Sequence, residues 1–380
     1  MTKKVLILQR VIPDYRVGIF ETLSKNTTCN CKLLIGNDTA DGKAVNTDFL
    51  DKIAVKKLES YTKIFFGRQF YFQKKLFQNL VAERPDVIVC EAESHFIGYL
   101  TAIFYKIFVN RNTKLLLWCF YTLPGSYYSK YSIRSMVKSF TRKFFEGFIS
   151  YHSLGKKFLM DMGISDLKIT VAHNVCDTIK HLEQSRNLVG KKCQIREKYG
   201  IEADMVVLFA GSLVPTKRPD FFLELAQRFK ASNMQFLVAG DGVCMSQMVE
   251  FTSVNGLDNV KFLGHLGDEI HEVFTITDCL ILPGRGGIII SEAMCYGIVP
   301  IVHQGDGIEL DLIQDNRTGF IQHQLSLDSF VPIINKLLKD EYLLKNIQDN
   351  CKQVVTEHYT TEKMAEQVIK AVDKVLRKSC

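Results

Sequence analysis

The residues best placed to do chemistry lie in two glycine-bearing turns in the second half of the chain. In the run Leu208 to Asp220 a strand ends at Ala210, Gly211 opens a tight turn, and Lys217 and Arg218 precede a helix that Pro219 begins. Two cations at the positive end of a helix suit a diphosphate. A solvated Lys-Arg pair beside a loop satisfies the same pattern. The second turn, Pro283-Gly284-Arg285-Gly286-Gly287, follows a strand ending at Leu282 and precedes a helix over about 288–296. Its glycines let a ligand approach main-chain N–H groups at a helix N-terminus, where negative charge is stabilised. Glu292 lies one turn into that helix among Ile288, Ile289, Ile290, Ala293 and Met294. A carboxylate there is costly to bury without partners, and ribose hydroxyls are suitable donors to it.

The elements that must hold these turns read as alternating β-branched runs and amphipathic stretches, the pattern of parallel strands joined by helices. Strands are predicted at 4–8, 31–35, 86–90, 114–118, 147–151 and 169–172, then at 205–210, 235–239, 260–263, 279–282 and 298–302. The fold class expected is α/β, with two doubly wound Rossmann-like domains facing across a cleft. The predicted domains are 1–185, 186–358 and a C-terminal helix over 359–380, for which packing on the first domain is one of two alternatives that the sequence leaves open. Past Phe320 the chain reads as helical. A chain of 380 residues is long enough for two cores. With 47% apolar and 23% charged residues it is not a disordered polymer. The 11 cysteines sit mostly in strand-like runs and read as buried free thiols in a reducing compartment; no metal site is expected. No export signal and no apolar run of membrane-spanning length is visible.

At this point the residues carry a family resemblance. The run GRGGIIISEAMCYGIVP, from Gly284 to Pro300, resembles the donor-site motif of family-4 glycosyltransferases of the GT-B fold. Four segments match in order: Gly211-Ser212 with Lys217; Ala239-Gly240-Asp241-Gly242; Asn259 to Gly264; and Asp306-Gly307-Ile308-Glu309 with Gly319-Phe320. The resemblance implies transfer of a sugar from a nucleotide-sugar with retention, no cofactor and no obligatory metal. It implies that Lys217 binds the donor diphosphate, with Arg218 an adjacent candidate, and that Glu292 holds the ribose. Main-chain N–H groups of Gly286, Gly287, Ile288 and Ile289 would hold phosphate and sugar, beside Gly211 and Gly242, and the loop from Leu263 to His265 would frame the base. The chain departs from the family pattern at two positions. The family pairs two glutamates with seven residues between them, and the first falls on Gly284. An arginine common after the first loop glycine is replaced by Ser212, a charge that Arg218 or Arg285 would supply. Arg285 is thereby also a catalytic candidate.

In the first half, the turn from Gln9 to Phe20 places Tyr15 and Arg16 as acceptor or phosphate contacts, or as caps of the first helix. His95, after the strand ending at Cys90, is a third acceptor candidate. Tyr121 occupies the place where the family carries a sugar-facing histidine and is the other catalytic candidate. Asn174 falls in the family's crossover segment. Residues 1–190 hold 28 Lys/Arg against 16 Asp/Glu and the remainder 20 against 25, so the halves carry +12 and −5. The excess gathers at 52–75 among six aromatics, and on the stripe Lys130, Arg134, Lys138 and Arg142, with Lys143 beside it. Both patterns suit an anionic membrane surface, met from the cytoplasmic side. No nucleic-acid motif accompanies them. The partners expected are a nucleotide-sugar and a saccharide or lipid-linked acceptor in cell-surface glycan synthesis. Two rivals stand beside the transferase: a catalytically silent nucleotide-sugar-binding subunit, motivated by Gly284, and a sugar-nucleotide epimerase of the same fold.

Overall fold

A computed structural model of the chain describes residues 2–36, 53–65, 68–92, 96–119, 140–305 and 307–377. The chain divides into two units, Met1–Asp177 with Thr361–Cys380, and Thr178–Thr360. The expected boundary at 185 falls inside the helix Thr178–Asn187, which belongs entire to the second unit.

In the first unit the strands are β1 (Lys3–Gln9), β2 (Cys29–Gly36), β3 (Val55–Leu58), β4 (Ser60–Phe65), β5 (Arg68–Gln73), β6 (Val87–Glu91), β7 (Lys114–Cys119), β8 (Gly147–Ser150) and β9 (Ile169–Val171). Seven of them form one parallel sheet in the order β3-β2-β1-β6-β7-β8-β9. Runs such as Val5 to Leu8 and Val87 to Cys90 are buried throughout, as strands covered on both faces must be. Strand order reverses between β1 and β6, the position where a doubly wound sheet opens a crevice at its carboxyl edge. The helix Thr361–Arg377 buries Met364, Ala365, Val368, Ala371, Val372 and Val375, one stripe at helical spacing, and packs on β7, β8, β9 and the helix Val17–Ser24. Lys3 Nζ donates to Asp373 Oδ1 at 2.8 Å, tying this helix to the start of β1.

The second unit holds β10 (Met205–Ala210), β11 (Met234–Ala239), β12 (Val260–Gly264), β13 (Cys279–Leu282), β14 (Val299–His303) and β15 (Phe320–Gln322). All pair in parallel in the order β12-β11-β10-β13-β14-β15, with the reversal between β10 and β13. Both glycine-bearing turns singled out above leave the two strands that flank this reversal.

Four strands were not expected. β15 has three residues and follows Gly319, so the chain adds an edge strand before it turns helical. β3 is a charged edge strand, and β4 and β5 form an antiparallel hairpin with Ser60 opposite Gln73 and Phe65 opposite Arg68. Of the six aromatics read as a membrane-facing cluster, Phe66 lies outside the described residues and four meet in pairs across the hairpin. Tyr61 stacks on Phe72 with centroids 5.2 Å apart, and Phe65 meets Phe70 edge-on at 5.9 Å. Ile64 and Phe65 nevertheless stay exposed at 75% and 46%. Of the second basic stretch, Lys130, Arg134 and Lys138 lie outside the described residues, whereas Arg142–Phe144 is a 3-10 turn.

Candidate functional site

In the second unit the carboxyl ends of β10, β11 and β12 are bound to one another through main chain. Gly211 N donates to Ala239 O at 2.9 Å, Leu213 N to Asp241 O at 2.9 Å, and Gly240 N to Gly264 O at 2.7 Å. Contact is so close that a Cβ at Gly240 would overlap the Gly211 carbonyl. Gly211, Gly242 and the end of the β12 strand at Leu263 are thereby gathered along one sheet edge. Ser212 is exposed there.

Lys217 ends the short 3-10 turn Pro215–Lys217, and its Nζ lies where a Cβ of Gly211 would be. The second glycine turn packs directly on it. Arg285 N donates to Thr216 O at 3.4 Å, and a Cβ built on Gly284 would come within 2.5 Å of Thr216 O and 2.6 Å of Lys217 Cα. Gly284 thus stands where any side chain would strike backbone. The missing family glutamate has no room in this arrangement of the two turns. Arg285 is exposed beyond that contact.

Gly286 and Gly287 lead into the helix Ile289–Cys295, capped by Ile288 without a side-chain bond. The amides from Gly287 to Ile289 precede the bond from Glu292 N to Ile288 O at 3.2 Å, so they belong to the open first turn. Glu292 rises from this helix with a side chain 21% exposed. Burial pushes its carboxyl up to about 7, against the opposing pull of Lys217. Lys217 and Glu292 are therefore in electrostatic reach of each other.

The loop beyond β14 completes this edge. Glu309, 2% exposed, accepts from Gly305 N at 2.8 Å and Gly307 N at 2.9 Å. Gly305 in turn packs on Gly284 O and Arg285 Cα. Glu309 is absent from the candidate residues named from sequence, although its segment matched the family pattern. Its role is to shape the loop that supports the glycine turn.

Arg218 parts from Lys217. Its backbone is left-handed at φ 53°, and its guanidinium clasps Asp220 at 2.7–3.0 Å. It faces a groove of about 390 Å³ between the helices Pro219–Arg228 and Met245–Asn255, lined also by Gln247 and Phe251. Lys217, Gly284 and Glu292 do not line that groove.

In the first unit, Arg16 is 7% exposed at the carboxyl edge of the sheet. It donates through Nη1 to Gln9 Oε1 at 3.0 Å and through Nη2 to the Tyr151 hydroxyl, with Glu91 Oε1 at 3.8 Å. Burial opposes its charge, yet Tyr151, Tyr15 and Glu91 together hold the guanidinium more firmly protonated than usual. Arg16 thus joins the ends of β1, β6 and the turn after β8 from inside. Tyr15, 38% exposed, is the one of the two that faces solvent. Asn174 N donates to Tyr151 O at 3.0 Å, fixing the crossover segment to the same group. His95 and Tyr121 lie outside the described residues.

Residues 191–354 match the family model of glycosyl transferases group 1. Among curated proteins the chain is similar to alpha-D-kanosaminyltransferase of Streptomyces kanamyceticus, 24% identical over 47% of this chain and 48% of that protein. It is similar at 24% to N-acetyl-alpha-D-glucosaminyl L-malate synthase of Bacillus anthracis, over 54% of this chain and 56% of that protein. The chain spans about half the length of these relatives. Among solved structures, Anabaena HepE in complex with UDP superposes with TM-score 0.76 at 16% identity, over 98% of this chain and 100% of that one. A glycosyltransferase from Rickettsia africae gives 0.78 at 16%, over 99% of both. This protein accordingly has the GT-B fold of two Rossmann-like domains, and its residues 191–354 carry the match to the glycosyl transferases group 1 model.

Proposed function

We propose that the chain is a glycosyltransferase that moves a sugar, with retention, from a nucleotide-sugar to a saccharide or lipid-linked acceptor in cell-surface glycan synthesis. The observation that carries this reading is that the glycine turns after β10 and β13, which flank the reversal of the second sheet, pack on each other at Lys217 and Gly284, with Glu292 one turn into the helix that follows and within electrostatic reach of Lys217. A cation faces the diphosphate, the open amides from Gly287 to Ile289, with that of Gly286 before them, take phosphate and sugar oxygens, and a carboxylate takes the ribose hydroxyls. Stabilising the departing diphosphate is the electrostatic share of catalysis, and the chain supplies it without a metal or cofactor. The first unit presents the acceptor, with Tyr15 as its exposed contact. Incubation with UDP-, GDP- and CDP-sugars tests the reading through released nucleotide and nucleotide-induced thermal stabilisation. UDP leads the panel because the Anabaena structure was solved with it. Neither signal with any donor would remove the transferase.

Gly284 favours a second reading, a subunit that binds donor and does not turn it over. That reading predicts thermal stabilisation by nucleotide-sugar with no nucleotide released across a full set of acceptors. The location proposed is the cytoplasmic face of a membrane, reached through the basic and aromatic surface of the first unit. No helix among the described residues is long and apolar enough to cross a membrane. Co-sedimentation with anionic vesicles at low and high salt checks this, and indifference to anionic lipid removes it.

A further inference from the structure

Beside Glu292 stands a buried imidazole that the reading above does not use. His181, on the helix Thr178–Asn187, is 9% exposed, and its Nε2 lies 4.0 Å from Glu292 Oε1. The ring is boxed by His271 at 5.1 Å, Phe274 at 6.3 Å and Tyr296 at 6.1 Å between centroids. Tyr296 caps Glu292's own helix and shares a 2.7 Å hydrogen bond with His271 Nδ1, so the box and the carboxylate are set by the same elements. His181 Nδ1 has no partner among the described residues. A neutral imidazole carries its proton on one nitrogen only. On Nδ1 that proton would be a buried donor without an acceptor; on Nε2 it faces a carboxylate. The Nε2–H form is favoured.

We propose that His181 is a positioning residue for Glu292: its Nε2–H turns the carboxylate toward the ribose hydroxyls of the donor and sustains its charge when nucleotide binds. The inference rests on the donor-site reading. A separation of 4.0 Å is too long for a direct bond, and a rotation of the carboxylate or one bridging water closes it. His181 is a donor rather than a counter-ion, since burial, with His271 and Lys180 nearby, pushes it down to about 3. The other groups facing the pair are Lys217, a His271 also lowered by burial, and Lys180, held by Asp268 at 3.1 Å. Glu292, at about 7, is the member of this set that changes charge nearest neutrality. Ribose hydroxyls bond the charged form better. Nucleotide affinity is therefore full above that value and falls as pH drops through it. Loss of the His181 donor moves the midpoint to higher pH.

Calorimetric titration of the full chain with UDP and with GDP, from about pH 5.5 to about 8.5, tests this on wild type, His181→Phe, His181→Gln and Glu292→Gln. Expected are about tenfold weaker binding and an upward-shifted midpoint in His181→Phe, recovery in His181→Gln, which keeps an N–H, and a flat pH profile in Glu292→Gln. Equal losses in both His181 variants with an unmoved midpoint would mean packing alone and overturn the inference. So would wild-type behaviour of His181→Phe beside a weakened Glu292→Gln. Full affinity in Glu292→Gln, or no binding of either nucleotide to wild type, would remove the donor-site reading itself.

Discussion

Lys217 and Glu292 were singled out by residue type together with the family resemblance, since a cation after a strand-end glycine also reads as a solvated loop residue; the structure brings the two within electrostatic reach. Lys217→Ala should cost about 1.5–3 kcal/mol of nucleotide affinity, roughly ten- to a hundredfold in Kd, with little change in Tm. Calorimetry with UDP and thermal unfolding separate the two effects. Gly284 was legible only as a departure; its cause lies in the contact with Thr216 and Lys217, residues remote in sequence. Gly284→Glu is therefore expected to lower Tm and weaken nucleotide binding instead of restoring a sugar contact. A stable variant with improved turnover would show that the turn has room after all. His181 escaped notice because its helix, TIKHLEQSRN, is polar and reads as linker. Of the two readings of Arg16, as a contact or as a cap of the first helix, the structure shows the cap, and the partner that draws its side chain inward, Tyr151, is 135 residues away.

Among the elements, those with unbroken apolar runs were found in sequence to within a residue or two, as buried parallel strands should be. The ones that escaped lack that signal. β3 reads VKKL, β15 has three residues, and the β4–β5 hairpin carries aromatics on exposed faces, a pattern that composition alone assigns to a surface patch. The loop 305–309 shows how an element with no periodicity is still specified. Glu309 gathers two amides that no neighbouring strand serves. Glu309→Ala should leave both without their acceptor and destabilise the second unit by about 1–3 kcal/mol. Urea unfolding reads the loss, and faster hydrogen exchange at Gly305 and Gly307 locates it. Unchanged protection at those amides would show that the loop stands without the carboxylate.

For the whole molecule, net charge does not mark the proposed donor site, which falls in the half that is −5 overall. On that proposal a local cation and opened amides outweigh the overall charge, as short-range terms do in a screened solvent. Deletion of residues beyond Thr360 tests the division into units. The deletion removes four large apolar side chains, Met364, Val368, Val372 and Val375, whose burial is worth ~1.5–3 kcal/mol each, a total comparable with the ~5–15 kcal/mol that holds a domain folded. Scanning calorimetry should lose the transition of the first unit and keep that of the second. A deleted chain with both transitions intact would show the helix to be dispensable. That same helix sets an order of events during synthesis. The second unit is continuous in sequence and is complete once Thr360 has left the ribosome, whereas the first, though begun earlier, waits for its last wall. The part translated first is the part finished last, and until then β7, β8 and β9 show an uncovered apolar face to the chaperones of the cell.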